Sequence, residues 1–154
     1  MKLRKWFTIL SLTWGLPLTL VGWVIAVALR LLGYKPKKWG GSTYFIVGKN
    51  WGAFSIGTTI VVSERSNQID ILNHEFGHSI QNCYYGFLCP FLVTIPSFVR
   101  ACWRELIVKL GIKKRSELPD YYSIWFERQA SELGESNIRY YLDADYYDVY
   151  LEED

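Results

Sequence analysis

The chain has 154 residues, the length of one domain; half are hydrophobic, 17% aromatic and 21% charged. That balance excludes long disorder, collagen-like repeats and a disulfide scaffold. The net charge of +2 conceals a division, because residues 1–115 carry 15 Lys and Arg against 4 Asp and Glu, while residues 116–154 carry 2 against 11. The basic residues flank apolar stretches instead of lining one face, so no nucleic-acid partner is expected. Cys83, Cys89 and Cys102 form no C-x-x-C pair and cannot all pair within one chain; reduced, buried thiols are expected.

Residues 6–29, WFTILSLTWGLPLTLVGWVIAVAL, carry no charge over 24 positions. At about 1.5 Å per residue, one helix of that length covers the ~30 Å hydrocarbon core of a bilayer. Trp6 at one end and Arg30 with Tyr34 at the other suit interfacial anchoring. Pro17 removes a backbone donor and predicts a kink or re-entrant break. The run exceeds the roughly 7–15 apolar residues of a signal peptide, so residues 1–34 are expected to form an uncleaved N-terminal membrane helix. Lys2, Arg4 and Lys5 nearly balance Arg30, Lys35, Lys37 and Lys38, with a slight lean toward a cytoplasmic C-terminal side.

Residues 43–62 read as a small antiparallel sheet. TYFIVG and FSIGTTIVVS are rich in β-branched and aromatic residues, Lys49-Asn50-Trp51-Gly52 is the turn between them, and Gly57 suggests a bulge or close backbone approach. Ser66 or Asn67 then caps a helix over 68–82, with Ile69, Leu72, Phe76 and Ile80 facing the core. Residues 79–99 again lack formal charge; Gly86, Pro90 and Pro96 make them a membrane-dipping or core-buried connection instead of one spanning helix. Ser97 is expected to cap an amphipathic helix to Leu110, striped by Val99, Cys102, Trp103, Leu106 and Leu110. Pro119 opens a further helix that Gly134 closes. Residues 136–154 form an acidic, tyrosine-rich tail, either solvated or folded over the basic stretch 30–49 or the cleft.

The chemistry gathers in His74-Glu75-Phe76-Gly77-His78, an H-E-x-x-H on the 68–82 helix. Residues i and i+4 share one helical face, so both imidazoles can reach one ion, and Glu75 stands beside the first of them without being a ligand itself. Zn2+ held there lowers the pKa of a bound water to about 7, and Glu75 is the base that takes its proton. Two His and nine Glu in random order give this pattern only about once in a thousand shuffles. A third ligand has to be a carboxylate, because no histidine remains. Glu64 and Asp70 lie too near the helix start, Glu105 sits on a polar face, and Glu117 and Asp120 lie at a helix entrance, where acids favour the macrodipole. Glu127 reads as a mid-helix carboxylate in aromatic surroundings, sharing a face with Ile124, Ser131 and Gly134; it is the leading third ligand and Asp120 the reserve.

The runs HEFGHSIQNCYYGFLCPFLVTIPS and YYSIWFERQASELG resemble the gluzincin class of zinc metallopeptidases. Within it they resemble a group of small bacterial membrane-associated proteins with an H-E-x-G-H-x-x-Q core, a Gly/Pro-rich apolar connection ending in Pro-Ser, and a Glu-x-x-Ala helix; WGLP at 14–17 fits that group too. The resemblance implies a zincin-like domain over 35–135, Zn2+ on His74, His78 and Glu127, and Glu75 as general base. It also implies residues 54–62 as the rim that takes an extended peptide by strand addition. Many gluzincins place an Asp four residues after the Glu ligand; here that position is Ser131, which implies a weaker acceptor for a ligand histidine. For the oxyanion, Tyr84, Tyr85, Tyr121 and Tyr122 are candidates. The expectation is thus a mainly helical α+β protein of the bacterial inner membrane, hydrolysing a peptide or protein substrate. The alternative is a non-catalytic, metal-stabilised binding or adaptor protein.

Overall fold

Gly15 and Pro17 decide how the N-terminal apolar run folds. In the computed structural model, which describes residues 2–140, that run divides into α1 (Lys2–Leu12) and α2 (Leu16–Leu31), bent by 94° at the break. Pro17 lies in the first turn of α2, where a missing N–H costs nothing. The expectation of one membrane-length helix is therefore corrected: among the described residues no single helix is long and apolar enough to cross a membrane. Two bent pairs pass by length and composition only when taken together, residues 5–31 and residues 69–109.

The strands are β1 (Lys37–Trp39), β2 (Ser42–Ile46), β3 (Ala53–Ile56) and β4 (Thr59–Val62), in the order β1-β2-β4-β3. The sheet is mixed, not antiparallel as expected, because β2 and β4 run parallel. FSIGTTIVVS is not one strand. Gly57, at φ +59°, starts a two-residue turn that pairs Ile56 with Thr59, the left-handed first position that glycine supplies in a tight hairpin. Gly40, at φ +56°, does the same between β1 and β2, so β1 is a strand that the sequence reading missed.

The core lies between this sheet, α1 and α3 (Ile69–Tyr85). Leu72, Phe76 and Ile80 of α3 meet Tyr44, Ile60 and Val62 of the sheet, as the helical spacing predicted. The α1–α2 break docks on the far end of α3: Asn82 Nδ2 donates to the Gly15 carbonyl at 3.0 Å, and the Trp14 indole donates to the Tyr84 carbonyl at 3.3 Å. α2 crosses the β3–β4 hairpin on Leu18, Thr19 and Gly22. A Cβ on Gly22 would overlap the Ile56 carbonyl, and one on Gly57 the backbone of Thr19.

A π-helical turn over Pro90–Thr94 leads into α4 (Ile95–Lys109), so Ser97 stands inside a helix and is not its cap. The expected apolar stripe of α4 faces outward. Val99, Trp103, Leu106 and Leu110 are all at least half exposed, and Ile107 is the buried residue of this helix. Cys83 and Cys89 are buried free thiols, but Cys102 is exposed with that stripe. The last helix, α5 (Trp125–Ile138), starts six residues after Pro119 and runs through Gly134. Gly134 does not end it, because it is a contact: a Cβ there would overlap the Asn73 carbonyl of α3, as one on Gly77 would overlap the Ala130 carbonyl of α5. Ile138 is wholly buried in the core. Residues 141–154, most of the acidic tail, lie outside the described residues, and so does its expected placement.

Candidate metal centre

Two glycines bring two helices close enough to share a site. With Gly77 under Ala130 and Gly134 over Asn73, the first turn of α5 faces the middle of α3. Glu127 lies in that first turn, not mid-helix as the sequence suggested, and it is wholly buried. Its Oε2 stands 3.1 Å from His74 Nε2 and 3.3 Å from His78 Nε2. The ligand atoms of the three residues all lie within 4.8 Å of one another, so this His-His-Glu group could hold a metal ion.

The hydrogen bonds around the group fix which ring nitrogens are free. Gln81 Nε2 donates to the Phe126 carbonyl at 2.8 Å and to Gln129 Oε1 at 2.9 Å. Its Oε1 is therefore left to accept from His78 Nδ1, 2.7 Å away. The Ser131 hydroxyl donates back to the Glu127 carbonyl at 3.4 Å, so it accepts from His74 Nδ1 at 2.9 Å. With Nδ1 engaged by these acceptors, the Nε2 of each ring is the nitrogen left to face the carboxylate or to ligate an ion. The two Nε2 atoms and Glu127 Oε2 converge on one point, where either a ring proton or a metal cation joins nitrogen to oxygen. Burial alone would raise the Glu127 carboxyl, but His74, His78 and a hydrogen bond from Ser97 outweigh it and hold the group well below its ordinary value. The donor set of two imidazoles and one carboxylate is the set zinc takes in open sites.

Glu75 is also buried, on the same turn as His74, and its Oε2 has no hydrogen-bond partner. It lines, with both histidines, a cleft of about 870 Å³.

No known protein family, characterised protein or solved structure matches this chain. What the site can do has to be read from its own chemistry.

The other acids considered from sequence are all elsewhere. Asp120 caps Tyr122 N at 3.2 Å, Glu117 accepts from Lys114 N at 3.0 Å, and Glu105 pairs with Arg115 at 2.6 Å on the surface; Glu64 and Asp70 are exposed. Of the four tyrosines, Tyr84 is exposed and Tyr85 donates its hydroxyl to Gln129 at 2.8 Å. Tyr121 and Tyr122 line the cleft. The Tyr122 ring packs edge-on to His74 at 5.0 Å. Burial raises the Tyr122 phenol, and Glu75 and Glu127 add to the effect. Burial pushes Tyr121 up to about 12.

Two contributors escaped the sequence reading. Ser97, inside α4, donates to Glu127 Oε1; read as the cap of that helix, its hydroxyl was already assigned to the backbone. Gln81 orients His78, and the signal for it was present three residues after that histidine in the H-x-x-Q run. Arg100 holds the 119–121 segment in place through the Asp120 carbonyl at 2.9 Å, and Arg104 does so through the Pro119 carbonyl. α4 thereby positions both cleft tyrosines.

Proposed function

We propose that this protein is a membrane-attached zinc metallopeptidase of the gluzincin type, with His74, His78 and Glu127 as zinc ligands and Glu75 as general base. The observation that carries the proposal is the meeting of the His74 and His78 Nε2 atoms with Glu127 Oε2 next to the unpartnered Glu75 Oε2. Zinc held by His74, His78 and Glu127 would supply a Lewis acid for a scissile carbonyl and lower the pKa of an attacking water toward neutrality. Glu75 accepts the proton of the attacking water and passes it to the leaving nitrogen, so that one carboxylate is base and then acid. Tyr122 donates to the oxygen of the developing tetrahedral centre. Its raised pKa keeps the phenol protonated, and Tyr121 already shares its hydroxyl with Ser97 at 3.3 Å. The substrate backbone is taken along β3. β4 lies between β2 and β3, so the binding rim narrows from the expected 54–62 to the edge strand alone.

Attachment to a membrane, with the bacterial inner membrane as its setting, is supported by the outward stripe of α4 and by Leu20, Val21, Trp23, Val24, Val27 and Leu31 on the open side of α2. Large apolar side chains exposed along two helices are what a lipid-facing or other interaction surface presents. The experiment is zinc-dependent hydrolysis of an unstructured reporter peptide by the full chain in detergent. Glu75→Gln is expected to keep its zinc and lose at least a thousandfold in rate. Full zinc occupancy with no hydrolysis of any peptide would instead leave a metal-stabilised binding protein.

A further inference from the structure

The walls of the metal cleft differ in chemistry from end to end. β3 forms one side. In its hairpin with β4, Ile56 and Phe54 lie opposite Thr59 and Val61, and the Gly52 carbonyl accepts from Ser63 N at 2.8 Å. The alternation of an antiparallel pair therefore turns the peptide groups of Ala53 and Ser55 to the open edge. The Ser55 hydroxyl on the same wall is buried without a hydrogen-bond partner. α4 forms the other side through Ile95, Phe98 and Ala101, and Leu18 and Val93 close the apolar end. At the other end of the cleft stand Arg104 and the Glu105–Arg115 pair.

Ile95 and Phe98 are not isolated at that rim. With Phe91, Val99, Trp103, Leu106 and Leu110 they recur at helical spacing on one side of α4, and all are at least half exposed. Ile95 and Phe98 thus belong both to the outward apolar stripe and to the lining of the cleft. On the opposite rim Trp51 and Phe54 are also exposed, and their rings meet at a tilt with centroids 5.8 Å apart.

We infer that the substrate of this site is the boundary of a membrane-embedded polypeptide: an apolar segment, bound extended along β3, that enters sideways from lipid between β3 and α4 with its charged flank at the Arg104 end. The inference rests on the proposed peptidase reading and adds the substrate class. The free backbone edge of β3 favours a peptide over an acyl chain, which has no groups to pair with Ala53 and Ser55. The polarity gradient favours the end of a membrane segment over a uniformly polar peptide, because each half of such a boundary meets a wall of its own kind.

The test uses the zinc-loaded full chain carrying Glu75→Gln, to trap substrate, and Phe98→p-benzoylphenylalanine as a photo-crosslinker at an exposed site. It is reconstituted in phosphatidylcholine–phosphatidylglycerol vesicles. Two biotinylated probes are compared: a Leu/Ala peptide of about 20 residues flanked by aspartates to complement Arg104, long enough to lie in the bilayer, and an unstructured soluble peptide of equal length. The inference predicts cross-linking of the apolar peptide at least tenfold above the soluble one, competed away by unlabelled apolar peptide. Equal labelling of both probes, cross-links only to lipid or to a second copy of the chain, or no cross-link to the apolar probe would overturn it. Hydrolysis of the soluble reporter by the unmodified protein is scored separately. If that hydrolysis is present without the cross-link, the peptidase reading stands and the substrate class falls. The cross-link without any zinc-dependent hydrolysis leaves a binding site for apolar peptide and removes the peptidase, and with it a substrate of any class.

Discussion

Ser131 occupies the place where an acidic side chain is expected from the gluzincin resemblance, and its hydroxyl is a weak acceptor for His74 Nδ1 at 2.9 Å. Removing it leaves the ring free to turn, so Ser131→Ala is expected to weaken zinc binding by about tenfold or more, read by competition with a fluorescent chelator. A second expectation concerns Tyr122. If its phenol serves the developing oxyanion, Tyr122→Phe lowers kcat by about 10²-fold with zinc content and KM little changed; a change confined to KM would assign it to substrate binding instead. The third is pH dependence in the metal-free protein. The Glu127 carboxyl is held below its ordinary 4.5 despite burial, so the stability it contributes is present above about pH 4.5 and is lost as pH falls below that. Urea unfolding of the metal-free chain between pH 6 and 3.5 should show this loss, and Glu127→Gln should flatten it.

At the scale of elements, the site depends on how near α5 can come to α3. Gly77 and Gly134 leave no space for a methyl group, since each meets a backbone carbonyl of the other helix. Gly77→Ala is therefore expected to cost about 3 kcal/mol, as overpacking does, lowering Tm by roughly 10 °C and loosening zinc with it because Glu127 moves. An unchanged Tm by differential scanning fluorimetry would contradict this. The same elements show how far the sequence could be read. His74 and His78 were legible as a pair because a helix repeats every 3.6 residues, and Glu127 as their partner because a carboxylate beside aromatic and small residues calls for one. The β3–β4 hairpin was not legible, because its two-residue turn carries a single glycine between apolar runs. The interior position of Ser97 was hidden for a related reason: prolines at 90 and 96 signal a break, yet both sit where a helical start tolerates them. Gly134 resembled a helix stop and proved to be a packing position. Glycine's two uses, left-handed backbone and close approach, look alike in sequence.

For the molecule as a whole, the bent pairs matter more than any one helix. α1 and α2 wrap the sheet and the end of α3 while leaving one apolar side open, and α4 presents a second open apolar side next to the cleft. Two such surfaces on one small chain are expected to hold it on a bilayer. The full chain should float with phosphatidylcholine–phosphatidylglycerol vesicles and resist high salt. Trp103→Glu combined with Leu106→Glu, on positions at least half exposed, should reduce the floated fraction severalfold without unfolding the protein. Retained flotation of that variant would place the attachment on α2 alone.

Everything proposed for the cleft depends on His74, His78 and Glu127 holding zinc, and metal content reads that out without any assumption about substrate. Mass spectrometry of the purified chain should give one zinc per molecule, kept in Glu75→Gln and lost or greatly weakened in Glu127→Ala. A chain that stays metal-free after loading with zinc, or that holds zinc equally well without Glu127, would contradict the assignment.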